Sequence, residues 1–328
     1  MSTAATTDPV LPAPGIASAP ESSTGTVPDP LLLFPLRQRI VERDLGVRAI
    51  HVHRRGREDV SHRFVEDTAE NIYSCSKTVT ALAVGIAAHE GLLEVEDRLV
   101  DHLPAPAGGY GRGIDQVRLR HLLTMTSGSP VLGFLDQERD HEDLTALILG
   151  TDLIAEPGRR WEYSNGSIFL LSRVISERTG QTLRDWLLPR LFEPLGILNP
   201  QWHTTRDGHS WGATALHLKS GQLARLGRLL LQRGEHERTQ LVPAAWIDAM
   251  HAEDTWVGTG EDGPESTRYG YGVWRCSIDG AWRADGAYGQ LVLVLPMQDA
   301  VITLTSHLEG RGSDEIMRGV WEELLPLL

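Results

Sequence analysis

The hydrophobic and polar positions of the chain fall into distinct periods. Val47-Arg-Ala-Ile-His-Val-His53 and Val60-Ser-His-Arg-Phe-Val65 alternate, which predicts two strands joined by a hairpin around Arg54 to Asp59. An apolar and basic helix is expected before them, near Leu31 to Asp44. Thr78 to Glu90 is rich in Ala, Val, Leu and Ile with Gly85 as its one breaker. That run predicts a helix buried on most faces and ending at Gly91, with Ser74 at its start. From about Asp101 to Arg206 helical spacing dominates, over Arg118 to Met125, Glu142 to Leu149, Ser167 to Arg178 and Thr182 to Phe192. After two more helices, Ser220 to Arg233 and Pro243 to His251, strands are expected at Tyr269 to Ser277, Gly280 to Ala284, Gln290 to Leu295 and Ala300 to Thr305. Ser313 to Leu327 closes as a helix.

Strands near both chain ends with helices between them imply an α/β (α+β) fold. Its antiparallel sheet is built from both ends, flanked by helices and interrupted by an inserted all-helical lobe. The expected division is a disordered tail over 1–30, an α/β lobe over 31–100 and 207–328, and an all-helical lobe over 101–206. The tail is read from six prolines, nine Ser/Thr and no Lys, Arg or aromatic residue, too little apolar surface to offset ordering entropy. It lacks the basic and apolar regions of a secretory signal, so an intracellular, cytoplasmic protein is expected.

Composition narrows the function classes. A formal net charge of -13, from 31 Lys+Arg against 44 Asp+Glu, opposes binding to a phosphate backbone, and no local basic patch overrides it. No apolar run approaches the roughly 18 residues that a bilayer span needs, so neither nucleic acid nor membrane is an expected partner. Cys75 and Cys276 fit no metal or redox spacing. Only two of the 31 basic residues, Lys77 and Lys219, are lysine. In a chain that uses arginine almost everywhere, a lysine is a candidate for work arginine cannot do, namely losing a proton near neutral pH.

Lys77 closes the tetrapeptide Ser74-Cys75-Ser76-Lys77 at the mouth of the buried helix. Positions i and i+3 share a helix face, so the Lys77 amine can reach the Ser74 hydroxyl. A serine hydroxyl is a poor nucleophile until a base takes its proton, and a helix N-terminus offers free N–H groups where an oxyanion would form. The plainer alternative is a serine N-cap followed by a solvated lysine.

Downstream, Glu156-Pro-Gly158 precedes Tyr163-Ser164-Asn165. With this element the chain resembles the serine β-lactamase and penicillin-binding protein superfamily, in which S-x-x-K is joined by a Y/S-x-N element and a K/H-x-G strand. It is most similar to the class C β-lactamase-related branch of esterases, amidases and D-peptide hydrolases. Leu119 to Gly128, Leu191-Phe-Glu-Pro-Leu-Gly196 and Tyr269-Gly-Tyr-Gly272 extend the likeness, which runs from Tyr73 to about His307. The resemblance implies a β-lactamase/transpeptidase-like fold. It also implies that Ser74 is the acyl-accepting nucleophile, Lys77 its activating partner and Tyr163 a phenolic acid/base. A lysine cation nearby is expected to lower the phenol's pKa from near ~10. Whether Lys77 or Tyr163 takes the first proton stays open. Asn165 would bond Lys77 or a substrate amide, or else is merely a polar residue at a helix start.

The third element departs from the pattern, because Ala284-Asp285-Gly286-Ala287 has neither Lys nor His first. Gly286 would let substrate approach, and the Ala287 N–H would complete an oxyanion hole with that of Ser74. Without the cation, recognition of a substrate carboxylate there is weakened, and Arg283 is a poor substitute. An ester or uncharged amide is therefore expected rather than a β-lactam, the reaction passing through an acyl-serine. An acyltransferase using the same site and a non-catalytic ligand-binding relative are the alternatives. Asp285 is a candidate for a substrate amine or a solvated strand-end carboxylate, and Tyr288 for a substrate contact. Trp161, Tyr271 and Trp274 are candidates for an acyl pocket or for core.

Three further features compete for attention. Gly208-His209-Ser210-Trp211-Gly212 matches the G-x-S-x-G nucleophile elbow, yet it has a polar stretch where that motif needs a buried strand and lacks a convincing helix after it. His51 and His53 have strand spacing suited to two metal ligands, with no third or fourth ligand at a recognisable spacing, so no metal or organic cofactor is implied. Cys75, beside the candidate nucleophile, is expected to be packed. The expected partner is a small ester, amide or peptide-like substrate, and the oligomeric state is open.

Overall fold

A computed structural model describes residues 31–328 except 262, 264 and 311, so the expected tail lies outside the described residues. The first elements are α1 (Phe34–Glu42), β1 (Val47–Arg54), β2 (Val60–Arg63), β3 (Glu70–Asn71) and α2 (Cys75–His89). Helices follow: α3 (Leu119–Leu123), α4 (Asp136–Arg139), α5 (Leu144–Gly150), α6 (Asn165–Thr179) and α7 (Leu183–Leu187). Next come β4 (Gln201–Trp202), β5 (Leu216–Leu218), α8 (Ser220–Leu231), the short pair β6 (Glu235–His236) and β7 (Thr239–Gln240), and α9 (Ala244–Met250). The chain ends with β8 (Val257–Gly258), β9 (Arg268–Tyr269), β10 (Trp274–Arg275), β11 (Trp282–Gly286), β12 (Gln290–Leu295), β13 (Ala300–Ser306) and α10 (Asp314–Gly319).

Eight strands form one antiparallel sheet in the order β2-β1-β13-β12-β11-β10-β9-β8, joining both ends of the described chain as the hydrophobic pattern predicts. Every residue of β12 is buried, which explains why Gln290 to Leu295 reads as an apolar run rather than an alternation. Val292 and Val294 pack with α2 and α8, whereas Leu291, Leu293 and Leu295 pack on the other face with α1 and α10. The fold is an antiparallel sheet flanked by helices, as the order of predicted elements implies.

Helix α2 runs through the larger core and buries thirteen residues from Cys75 to Ala87. Its glycine has a packing reason: a Cβ on Gly85 would lie 2.2 Å from the Trp246 ring of α9, whose Nε1 donates to the Ala81 carbonyl at 3.0 Å. The helix therefore tolerates a poor helix former because a large ring takes the vacated volume.

Several boundaries differ from the sequence expectation. The strand expected over Tyr269 to Ser277 is broken into β9 and β10 by a turn in which Gly272 adopts φ 69°. The helix expected over Thr182 to Phe192 is α7 followed by a wider turn over Leu188–Phe192, where Pro189 has no N–H to continue the ladder. The three-stranded sheet β3-β5-β4 had no sequence signal, its strands being only two or three residues long. Among the described residues no helix is long and apolar enough to cross a membrane.

Candidate active site

Ser74 stands at the N-terminus of α2, but its hydroxyl makes no capping bond to the helix. It faces Lys77 instead, with Nζ and Oγ 2.9 Å apart. The Lys77 amine also donates to Asn165 Oδ1 at 2.7 Å and to the Ala213 carbonyl at 3.0 Å. Lys77 is 1% exposed and no carboxylate is among these partners. Burial of an ammonium that only neutral groups solvate lowers its pKa from 10.5 to about 7. A neutral amine has two N–H bonds and one lone pair. Asn165 Oδ1 and the Ala213 carbonyl can only accept, so they take both N–H bonds and leave the lone pair aimed at the Ser74 hydroxyl.

Three segments bring these groups together. Asn165 opens α6, and its Nδ2 donates to the Gly133 carbonyl at 3.2 Å, which fixes the orientation of the amide. The loop carrying Gly133 is in turn gathered by Glu138 Oε2, which accepts from the N–H groups of Gly133, Phe134 and Leu135. Before the nucleophile, Asn71 Oδ1 accepts from Tyr73 N at 2.7 Å and from Ala215 N at 3.1 Å. Tyr73 has φ 47°, a left-handed conformation that costs a non-glycine residue about 1 kcal/mol and that these bonds hold in place. Asn71, Glu138 and Ala213 carried no motif and could not have been found by pattern.

Tyr163 completes the cluster. Its ring centroid lies 4.8 Å from Lys77 Nζ, and the Ser74 hydroxyl acts on its phenol to favour the ionised form. The expected lowering of its pKa is reversed: burial pushes it above the ordinary value, and the influence of Ser74 offsets only part of that rise. Burial disfavours the phenolate, so the phenol holds its proton more firmly than a free tyrosine does. Trp161, Tyr269 and Trp274 surround the ring at centroid distances of 6.2, 5.9 and 5.7 Å. Tyr271 packs elsewhere, against Trp246.

The third strand reaches the nucleophile closely. A Cβ on Gly286 would lie 2.4 Å from the Ile72 carbonyl and 3.3 Å from Cys75 N, so the protein's own backbone, not only a substrate, requires glycine here. This contact brings the turn containing Ala287 beside the turn containing Ser74. In the latter, the N–H groups of Cys75, Ser76 and Lys77 bond to the carbonyls of Ile72, Tyr73 and Ser74, leaving the Ser74 N–H as the candidate oxyanion donor. Cys75 itself is buried, and burial lifts its thiol well above the ordinary value, so it is inert.

The sequence pattern of the Beta-lactamase family matches residues 39–324. The chain belongs to that family. Protein flp of Staphylococcus aureus (strain N315) is 27% identical over 157 residues, 46% of this chain and 32% of its own length. The match thus spans about a third of that relative. A D-stereospecific amidohydrolase from Streptomyces sp. superposes with a TM-score of 0.69 at 20% identity, over 89% of this chain and 98% of the other. EstCE1, described as a hydrolase with promiscuous acyltransferase activity, superposes with a TM-score of 0.71 at 18% identity, over 88% and 98%.

Charges near the third strand are engaged with one another. Where the family pattern has Lys or His, Ala284 is buried. Arg283 Nε donates to Asp285 Oδ2 at 2.8 Å, Arg283 Nη1 lies 3.8 Å from Glu265 Oε2, and Ser313 Oγ donates to Asp285 at 3.2 Å. Asp285 is therefore an ion-pair partner rather than a solvated carboxylate. Tyr288, with φ 65°, lies over Tyr73 at 4.9 Å and stacks on His307 at 5.3 Å.

The remaining candidates lie apart. Ser210 is buried at an isolated β-bridge to Thr204, its Oγ accepting from Arg184 N at 3.4 Å and its carbonyl from Ser172 Oγ at 2.8 Å, with no strand-to-helix elbow around it. His51 Nε2 is 2.9 Å from Ser220 Oγ, and His53 Nδ1 is 2.7 Å from Asp59 Oδ1. Among the described residues no group of three or more His, Cys, Asp or Glu side chains is placed to hold a metal ion. Lys219, the second lysine, is exposed before α8.

Proposed function

We propose that the protein is a serine hydrolase acting, through an acyl-enzyme on Ser74, on an ester or amide that places no charge at the third strand. The observation that carries this reading is the Lys77 amine, buried without a carboxylate and left with one lone pair for the Ser74 hydroxyl. Lys77 takes the hydroxyl proton as Oγ bonds to the substrate carbonyl carbon, and the carbonyl π pair moves to oxygen. The Ser74 and Ala287 N–H groups receive that oxyanion. When the tetrahedral adduct collapses, the bond to the leaving oxygen or nitrogen breaks, and that atom takes a proton from Tyr163, which recovers one from the neighbouring Lys77 ammonium. Water then adds to the acyl-enzyme by the same steps in reverse roles, releasing the acid and restoring Ser74. The buried Ala284 in place of a cation supports a substrate with no carboxylate at that strand. Oxyanion donation by Ala287 and substrate contact by Asn165, Gly286 and Tyr288 belong to this reading, as does the division into an α/β lobe and an inserted lobe meeting at the site.

Peptide mapping after treatment with a fluorophosphonate, together with turnover of a short-chain p-nitrophenyl ester, tests it. The adduct is expected on the Ser74 peptide, and Ser74→Ala should abolish both adduct and turnover. An adduct on Ser210 would overturn the assignment, and neither adduct nor turnover in the wild type would favour a binding-only relative.

A further inference from the structure

A cleft of about 820 Å³ opens beside the Ser74–Lys77 pair. Tyr73, which precedes the nucleophile, and Asn165, which bonds Lys77, line it together with His203 and Arg206 from the β4–β5 loop and Arg139 and Asp140 at the end of α4. The two arginines differ. Arg139 is ion-paired with Asp136. Arg206 has the Asp140 carbonyl as its hydrogen-bond partner at 3.4 Å and forms no ion pair with a carboxylate among the described residues. Its guanidinium is thus the site's cation still open to an anion, since Ala284 fills the strand position and Arg283 is committed to Asp285 and Glu265.

The cleft does not include Tyr163 or the aromatic group around it. A leaving group must depart beside its proton donor, so the cleft takes the opposite, acyl, side of the scissile bond. We propose that Arg206 is a specificity residue that binds a carboxylate on the acyl portion of the substrate. The preferred substrates are then half-esters or half-amides of dicarboxylic acids. A guanidinium fork matches a carboxylate in two parallel hydrogen bonds, and Arg206 needs no other partner displaced to make them. The placement of acyl and leaving sides rests on the reading of Ser74 as nucleophile, while the charge preference of the cleft does not.

Binding to Ser74→Ala separates the two. The N-phenyl half-amides of succinic, glutaric and adipic acid are titrated calorimetrically alongside their methyl esters. The best acid is expected to bind about fivefold more tightly than its own methyl ester, the ratio an exposed ion pair supplies. Arg206→Glu in the same background should abolish or invert that ratio. Equal binding of acid and methyl ester, or a preference that survives Arg206→Glu, overturns the proposal. In the protein that retains Ser74, the p-nitrophenyl half-esters and their methyl esters should show the same ratio in kcat/KM. If no ester is turned over while the calorimetric preference stands, the hydrolase reading has failed and the anion site has not.

Discussion

Two buried basic side chains of this protein behave oppositely. Lys77 is 1% exposed and Arg283 is 3% exposed, so burial opposes both charges. Around Lys77 stand a hydroxyl, an amide oxygen and a backbone carbonyl, and its pKa falls to about 7. Around Arg283, burial is outweighed by Asp285, with Cys276 and Glu265 adding to it, so the guanidinium is held above its ordinary value. Partners, not depth, decide whether a buried cation is a base or a strut. The same contrast explains the residue types: arginine suits a site that must never lose its proton, lysine one that must.

Exchanging the chemistry at the first site should produce the largest effect. Lys77→Arg keeps a cation but removes the ability to deprotonate, and Lys77→Met keeps the stem and removes the amine. Both should lower the rate of fluorophosphonate labelling and of ester turnover by about 10³-fold, within the range that a positioned general base contributes. Melting curves confirm that each variant is folded. A Lys77→Arg enzyme within tenfold of wild type would show that Lys77 acts only as a charge.

At the second site the expected effect is on stability. Arg283→Met strands Asp285 and Glu265 in a buried, formerly paired cluster, which should cost about 3–5 kcal/mol in urea unfolding. The triple variant Arg283→Met, Asp285→Asn, Glu265→Gln should recover much of that loss. If the single variant melts with the wild type, the cluster is not a strut and the comparison collapses.

The two sites were not equally legible in the sequence. The i to i+3 spacing of Ser74 and Lys77 is a local property, and a chain with only two lysines makes one at a helix start conspicuous. Asn165 was readable from its spacing to Tyr163, although its bond to Lys77 joins two helices. The Arg283 cluster could not be read, because it assembles β11, the loop carrying Glu265 and Ser313 before α10, and no pattern reports which loop folds over a strand. Asp285 looked like a strand-end carboxylate for the same reason. The fold followed the same rule: long apolar periods such as α2 and β12 were visible, whereas β3, β4 and β5 are too short to show a period. The upward shift of Tyr163 was invisible too, since it comes from burial that only the assembled fold creates.

Titration separates the two cations most finely. Only neutral Lys77 can accept the Ser74 proton, so labelling and kcat/KM should rise with pH, reach half their limit near pH 7 and fall about tenfold per unit below it. Stability carries the same signature. Between pH 7 and 10.5 the unfolded chain holds a proton on this lysine that the folded chain does not. Raising the pH strips that proton from the unfolded state alone, so the burial penalty shrinks and folding becomes more favourable across this window; below it both states are protonated and the slope vanishes. Urea unfolding of wild type and Lys77→Met should therefore diverge with pH, wild type gaining up to about 1.4 kcal/mol per pH unit relative to the variant within the window. The Arg283→Met difference should stay flat over the same range, because neither state of an arginine loses its proton there. Parallel lines for Lys77→Met would mean that Lys77 stays charged in the folded protein, and Tyr163 would then have the lysine cation it needs to act as the base.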